Sequence, residues 1–379
     1  SSTNTITDWN SSNGCMDAIY DCAGDIYMKF ITSCNYNSNG TGGDMTYTAQ
    51  FINASINNVI IDGQGSIITN FAAAASWIRV DGRTNWKIRN LSFIGYNANA
   101  ILFTDMINTR IENCIFDSNP TMRAVRIDND DNASDVTIIN SVFSNNSPVS
   151  ETPSTGALEI REDEFAGPLV VHITDTDFSC NRTQGFGGGA IWISVTSFPS
   201  NGGPTVNITG GTFSGNFSGT DTGDGGAIGI NGSTSVLNIN GSTFSCNHSR
   251  ASTGAGGGGA IRIAAGPDVT IQNATFYGNY CTNSAGSVAA GGYGGAINIS
   301  STSNISTLSI SNSTFEANQA SRGGAFYLEN GTTPVTFNNV LIKGNSSASE
   351  GGGGIFSDGV SFSLTNTSVI NNTSPATFA

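Results

Sequence analysis

The chain has 379 residues with 14 basic against 28 acidic side chains, a net charge of −14, and charged residues make up 11% of it against about 25% in an ordinary soluble domain. Glycine stands at 48, asparagine at 44, proline at 9 and hydrophobics at 37%. This balance excludes a basic nucleic-acid binder and a charge-driven disordered chain; a collagen is excluded because Gly has no three-residue period, and a spanning helix because no run of 18 apolar residues exists.

Residues 1–57 lie outside any repeat and read as a small N-terminal cap over an exposed strand edge. Cys15, Cys22 and Cys34 cluster there and are disulfide candidates, which would need an oxidising compartment. Residues 58–379 read as one parallel β-helix, beginning with a weak first coil at Val59-Ile-Ile61.

The repeat is clearest around Phe143, in Val136-Thr-Ile138-Ile-Asn140-Ser-Val-Phe143-Ser-Asn-Asn146. Apolar residues lie seven and five before the Phe. Nine more segments fit, anchored at Phe93, Phe116, Phe178, Phe213, Phe244, Phe276, Phe315, Ile342 and Val369. Three residues before the anchor stands Asn, Asp or Gly in all ten, the residues that tolerate a left-handed backbone. Three residues after it stands Asn in nine of ten, from Asn119 to Asn372, with Tyr96 the exception. A second element, Gly-Gly-Ala-Ile191-Trp-Ile193, recurs ahead of Ile228, Ile261, Ile297 and Phe326, with weaker copies at Ala124-Val125 and Ala157-Leu158. Both elements alternate with period two, so each is a strand with one buried face. The spacing predicts an all-β, single-stranded right-handed parallel β-helix of about eleven coils with three strands per coil, roughly 50 Å long at about 4.8 Å per coil. Asn113, Asn140, Asn273, Asn312, Asn339 and Asn366 are expected to form a hydrogen-bonded ladder at the left-handed corner. An α/β solenoid lacks the helical periodicity it needs, and a sandwich would not repeat one frame ten times.

The paired Gly-Gly-Ala-Ile and Phe-x-x-Asn elements over residues 110–372 resemble the passenger domains of chlamydial polymorphic outer-membrane proteins. The resemblance implies a right-handed β-helix of the pectate-lyase-like kind and an adhesive role. Those proteins carry a C-terminal membrane barrel, and no such segment is present here. Val59-Ile-Ile-Asp-Gly-Gln-Gly65 looks like an early coil of pectin-degrading β-helix enzymes, without a catalytic residue.

Chemistry-bearing residues are few. The histidines are His172 and His248, and no metal-ligand spacing or nucleophile triad can be assembled. No cofactor is expected. The one acidic constellation is Asp128, Asp130 and Asp131 with Glu159, Glu162, Asp163 and Glu164. Alignment on Ala124 and Ala157 sets Arg126 beside Glu159 and Asp128 beside Arg161, which favours ion pairing across coils. Ca²⁺ at Asp128, Asp130 and Asp131, or a carboxylate pair cleaving glycosidic bonds, are the alternatives. Outward positions of the Gly-Gly-Ala strand give the binding-face candidates Arg126, Glu159, Trp192, Arg262 and Tyr327. Cys246 and Cys281 lie in adjacent coils and are a second candidate pair.

Asn-x-Ser/Thr occurs 21 times, and nine of these fall on repeat asparagines expected to be occupied by the ladder. The better glycosylation candidates off the ladder are Asn39, Asn53, Asn132, Asn207, Asn231, Asn298, Asn304 and Asn330. The last coil ends near Asn372 without a capping helix. The expectation is a secreted, extracellular, non-enzymatic β-helix glycoprotein that associates end to end into a fibre or adheres to a surface glycan or protein; the alternatives are a polysaccharide lyase or hydrolase and a glycan-binding module.

Overall fold

The computed structural model describes residues 26–29, 35–37, 57–69 and 76–375, apart from 121–122, 148–155, 164–166, 186, 196–201, 220–223, 252–255, 284, 289–290, 300–306, 330–334 and 350. Cys15, Cys22, Cys34, Asn39, Asn53, Asn304 and Asn330 lie outside the described residues. The described chain is all-β, and every strand pairing in it is parallel. No helix in it is long and apolar enough to cross a membrane.

The Gly-Gly-Ala strands stack as one ten-stranded sheet from Ile78–Asp81 to Ile355–Asp358, close to the eleven coils expected. The Val-x-Ile and Phe strands of each coil belong to a single bent sheet of 22 strands. The bend between them is the residue three before each anchor, which has positive φ: 52° at Asn113, 49° at Asn140, 45° at Asp175, 68° at Gly210. The third side is a six-stranded sheet of two- and three-residue strands just after the second Asn, such as Arg182–Thr183 and His248–Arg250. Segments this short show no alternation, which is why the sequence pattern did not reveal them. Ile26–Lys29 and Asn35–Asn37 pair with Val59–Thr69, so the bent sheet extends into residues 1–57.

The interior is filled by like residues in columns. Phe93, Phe116, Phe143, Phe178, Phe213, Phe244, Phe276 and Phe315 are all 0% exposed, and successive rings stack at 4.6–5.2 Å. Each coil thus buries about 2–3 kcal/mol of aromatic side chain against its neighbours.

The asparagine ladder is real, but it runs through the other asparagine. Asn113, Asn140, Asn273, Asn312, Asn339 and Asn366 are exposed at the left-handed corner. Some touch, as Asn339 Nδ2 donates to Asn312 Oδ1 at 2.8 Å, but these contacts face solvent. The continuous ladder is Asn119, Asn146, Asn181, Asn216, Asn247, Asn279, Asn318, Asn345 and Asn372, three after each anchor. The first eight are 0% exposed. Each Nδ2 donates to the next Oδ1 at 2.7–3.0 Å, and from Asn146 on also to a Phe or Ile carbonyl at 2.9–3.0 Å. The same Oδ1 accepts the backbone N–H of the preceding ladder residue, as Asn247 Oδ1 does from Asn216. The cause is the residue just before the ladder Asn. It has positive φ in every coil, as at Asn145, Cys180, Gly215, Cys246, Gly278, Ala317 and Gly344, and it turns the following side chain inward.

Candidate functional site

Outward side chains of the ten-stranded sheet form two columns. In the first, Arg126 pairs with Glu159, Glu159 with Trp192, Trp192 with Gly229, Gly229 with Arg262, Arg262 with Asn298 and Asn298 with Tyr327. In the second, Asp128 is opposite Arg161. Outward parity does not mean exposure here, because the connection leading into each Gly-Gly-Ala strand folds back over the column.

Trp192 is 7% exposed and lies over Gly229, where an added Cβ would sit 2.8 Å from the indole. Tyr327 is 2% exposed, stacked between Tyr293 at 4.4 Å and Phe356 at 5.3 Å, with the Arg322 guanidinium over both flanking rings. Neither ring presents a free face, so neither is the open binding platform expected from its position. Arg262 forms an ion pair with Asp224, which also accepts the Gly187 N–H. Asn298 is 0% exposed, and its burial excludes a glycan in the folded chain. Asn132 and Asn231 are exposed and Asn207 is half-buried. The corner asparagines Asn273, Asn312 and Asn366, each in a sequon, are exposed as well, whereas the ladder sequons at Asn181, Asn216, Asn247 and Asn345 are buried.

Of the acidic constellation, Asp128, Asp130, Asp131, Glu159 and Asp163 lie on the outer side of two coils, Glu162 is 0% exposed in phase with Leu158 and Ile160, and Glu164 lies outside the described residues. Glu159 receives Arg123 at 2.6 Å and Arg126 at 3.4 Å; Arg126 also reaches Asp128 at 2.8 Å, and Arg161 reaches Asp163 at 2.8 Å. Glu159 is 4% exposed; its burial raises the carboxyl against the pull of Arg123 and Arg126. Asp105, from the coil before, accepts the backbone N–H groups of Asp130 at 2.8 Å and Asp131 at 3.2 Å and so folds that turn. Asp130 is exposed, and partial desolvation at its turn pushes the carboxyl up to about 6, assisted by its hydrogen bond with Asp163 and the charges of Asp128, Asp163 and Asp105. The arrangement joins a carboxyl that titrates near neutrality to other carboxylates and guanidinium groups, the parts of an acid–base site. It is also an ion-pair network, with Arg123 and Arg126 on Glu159, Arg126 on Asp128 and Arg161 on Asp163. Among the described residues no group of three or more His, Cys, Asp or Glu has a metal-holding arrangement, and Asp128, Asp130 and Asp131 do not converge as ligands.

His172 is exposed on its strand. His248 is sandwiched between Phe217 and Tyr280 at 4.9 and 4.2 Å, and burial, with the charges of Arg250 and Arg182, pushes it down to about 4. Cys246 and Cys281 are both free, not paired: Cys246 is exposed at a left-handed corner and Cys281 is buried under the third sheet.

No protein-family model matches the chain, and no curated protein matches it. Of the likeness to chlamydial passenger domains, the parallel β-solenoid is shown, and no family match supports those proteins specifically. Among solved structures, the catalytic unit of a GH87 alpha-1,3-glucanase from Streptomyces thermodiastaticus is 12% identical, with a TM-score of 0.38, covering 98% of this chain and 68% of that one. The alginate lyase AlyF-OU02 in complex with G6 is 13% identical, with a TM-score of 0.34, covering 100% of this chain and 86% of that one. Likeness at this level bears on neither chemistry nor substrate.

Proposed function

We propose that the protein is a non-enzymatic structural rod, extracellular and glycosylated, that lengthens by end-to-end association. The observation that carries this is the unbroken stacking of like residues in one frame, as in the column that runs from Ile61 to Leu364 and in the Phe rings. Phe362, Leu364 and Val369 are 40–45% exposed, whereas their counterparts Val335, Phe337 and Ile342 one coil earlier are 0–1% exposed. The strands Ile355–Asp358, Phe362–Thr365 and Ser368–Ile370 each pair on one side among the described residues. An apolar cross-section edged by free N–H and C=O groups is a template for further strands.

The occupant proposed is a second copy of this chain. The column that ends at Leu364 starts at register position Met28, and the column that ends at Val369 starts at Tyr36. A second copy stacked in the same frame therefore continues apolar columns with apolar positions, and such a heterologous contact repeats into an open filament. The exposed sequons at Asn132, Asn231, Asn273, Asn312 and Asn366 support a glycosylated surface.

Sedimentation velocity on the purified chain tests this. The expected result is a series of elongated species growing with concentration, collapsed to monomer by Leu364→Glu. A wild-type chain that stays monomeric up to about 100 μM overturns it.

A second reading rests on Asp130. A carboxyl near 6 beside Asp163 and Asp128 on the outer face of a β-helix would serve a polysaccharide-cleaving enzyme. Release of reducing or unsaturated ends from a polysaccharide panel, lost in Asp130→Asn, would establish it; no release from any polymer removes it.

A further inference from the structure

The six-stranded sheet carries a column of outward side chains. Register places Arg182 beside Phe217, Phe217 beside His248, His248 beside Tyr280 and Tyr280 beside Gln319. The alternate positions Thr183, Ser218, Ser249, Cys281 and Ala320 are buried, so strand phase turns this column toward solvent. Arg182, Tyr280 and Gln319 are exposed, and Phe217 and His248 are half-buried.

Two guanidinium groups gather at one ring of this column. The Arg182 Cζ lies 4.9 Å from the Phe217 ring centroid, and the Arg250 Cζ, from the coil after, lies 5.4 Å from it. Stacking accounts for where each guanidinium lies, but not for two like charges sharing a ring. Among the described residues neither arginine forms an ion pair, and Arg250 Nε is buried and donates to nothing. The Asp224 carbonyl accepts the Ser249 hydroxyl beneath the column, yet its carboxylate is held by Arg262 and the Gly187 N–H. Burial, with the charges of Arg250 and Arg182, holds His248 at about 4, so near pH 7 it is neutral. Its Nε2 shares a hydrogen bond with Thr282 Oγ1 at 2.7 Å. The column is thus a cationic, aromatic strip on a chain whose net charge is −14.

We propose that this strip binds a linear acidic polysaccharide through its carboxylates, with Arg182 and Arg250 as the anion-binding groups. A guanidinium stacked on a ring has its plane fixed and its N–H edge turned to a carboxylate, which it takes bidentately. The two arginines stand on strands two coils apart, about 9.6 Å, a spacing suited to charges borne on separate sugar units. Nucleic acid is disfavoured, because it carries a phosphate every few ångströms and meets the repulsion of the whole acidic chain. A uronate chain carries one charge per sugar and offers C–H surface to the edges of Phe217, His248 and Tyr280. From Arg182 to Gln319 the strip runs about 19 Å along the rod axis, room for several sugars. It lies on the side of the rod, so binding there does not depend on how the ends associate.

Isothermal titration calorimetry of the full chain with an oligoglucuronate, and with the same oligosaccharide after its carboxyls are reduced to alcohols, tests this. Wild type is expected to bind the charged form with a Kd below about 1 mM and the reduced form at least about tenfold more weakly. Arg182→Ala and Arg250→Ala each weaken binding at least about threefold, and together at least about tenfold. Arg110→Ala, at an exposed arginine of the 22-stranded sheet, leaves it unchanged. In proton NMR the His248 ring signals shift on binding and those of His172 do not. No binding to wild type, equal affinity for the reduced form, equal losses from Arg110→Ala and Arg182→Ala, or unmoved His248 signals each overturns the proposal. Should Arg250→Ala not fold, Arg182→Ala, at an exposed position, decides alone, and unchanged affinity there overturns the site.

Discussion

Asn247 sits in the middle of the internal ladder, and its truncation to Ala gives the sharpest test of what holds the coils together. Its Nδ2 donates to Phe213 O and to Asn279 Oδ1, both at 2.9 Å. Its Oδ1 accepts from the Asn216 backbone N–H at 3.1 Å and from Asn216 Nδ2 at 2.9 Å. Asn279 Oδ1 keeps the Asn247 backbone N–H at 3.0 Å, so it is not orphaned. Asn247→Ala removes partners from the Asn216 N–H, one Asn216 amide hydrogen and the Phe213 carbonyl, all in a 0% exposed setting. At about 1–3 kcal/mol per buried orphan, the loss is about 4 kcal/mol. The control is Asn312→Ala, at an exposed corner with φ 49° and one solvent-facing contact. There the cost is about 1 kcal/mol, mostly the left-handed backbone of a non-glycine residue. Urea unfolding gives the two stabilities, and hydrogen exchange at Asn216 localises the effect. Equal costs at the two positions, or an Asn216 amide still protected in Asn247→Ala, would refute the assignment of the ladder.

Other outcomes follow from the same structure. Gly226→Ala places a Cβ 2.1 Å from the Gly259 carbonyl and 2.6 Å from the His248 nitrogen, both backbone atoms, so a loss of about 3 kcal/mol is expected, while Gly344→Ala, with no neighbour within 4 Å, costs about 1 kcal/mol through its φ of 62°; thermal melts separate the two. His248 is held at about 4 in the folded chain against about 6.5 unfolded. A depressed histidine contributes stability that is complete above about pH 6.5 and declines as pH falls toward 4, by at most about 3 kcal/mol. The difference in urea midpoint between wild type and His248→Gln should therefore shift against wild type across that window; a pH-independent difference contradicts the burial. Under native conditions maleimide should label Cys180 and Cys246, which are exposed, and spare Cys114 and Cys281, whose buried thiols are pushed up to about 12 and about 11. Peptide mass mapping reads this, and native labelling of Cys114 would contradict its place in the core.

Most of the solenoid was legible because its physics is periodic. Inward Ile and Phe recur in one frame, and the left-handed corner selects Asn, Asp or Gly, so alignment on Ala124 and Ala157 correctly set Arg126 beside Glu159. Which asparagine makes the ladder was not legible from period alone, since the residues three before and three after the anchor repeat equally well. The usable signal was the residue just ahead of the second one: Cys180, Gly215, Cys246, Gly278 and Ala317 are all small, as a positive-φ turn requires. Parity placed Trp192 and Tyr327 outward, but only packing reveals that the Gly-rich connections cover them. Glu162 was grouped with the acidic constellation on its neighbours alone. It sits among charged neighbours in sequence, yet its strand phase, shared with Leu158 and Ile160, turns it inward.

The central claim, a rod that extends by stacking its own coils, is tested most directly by electron microscopy of the unstained full chain at moderate concentration. The account predicts uniform fibres with an axial subunit repeat of about 50–60 Å, the height of the stacked coils at about 4.8 Å each, and short rods only for Leu364→Glu. Isolated rods of wild-type chain under the same conditions, or fibres unaffected by Leu364→Glu, would contradict it.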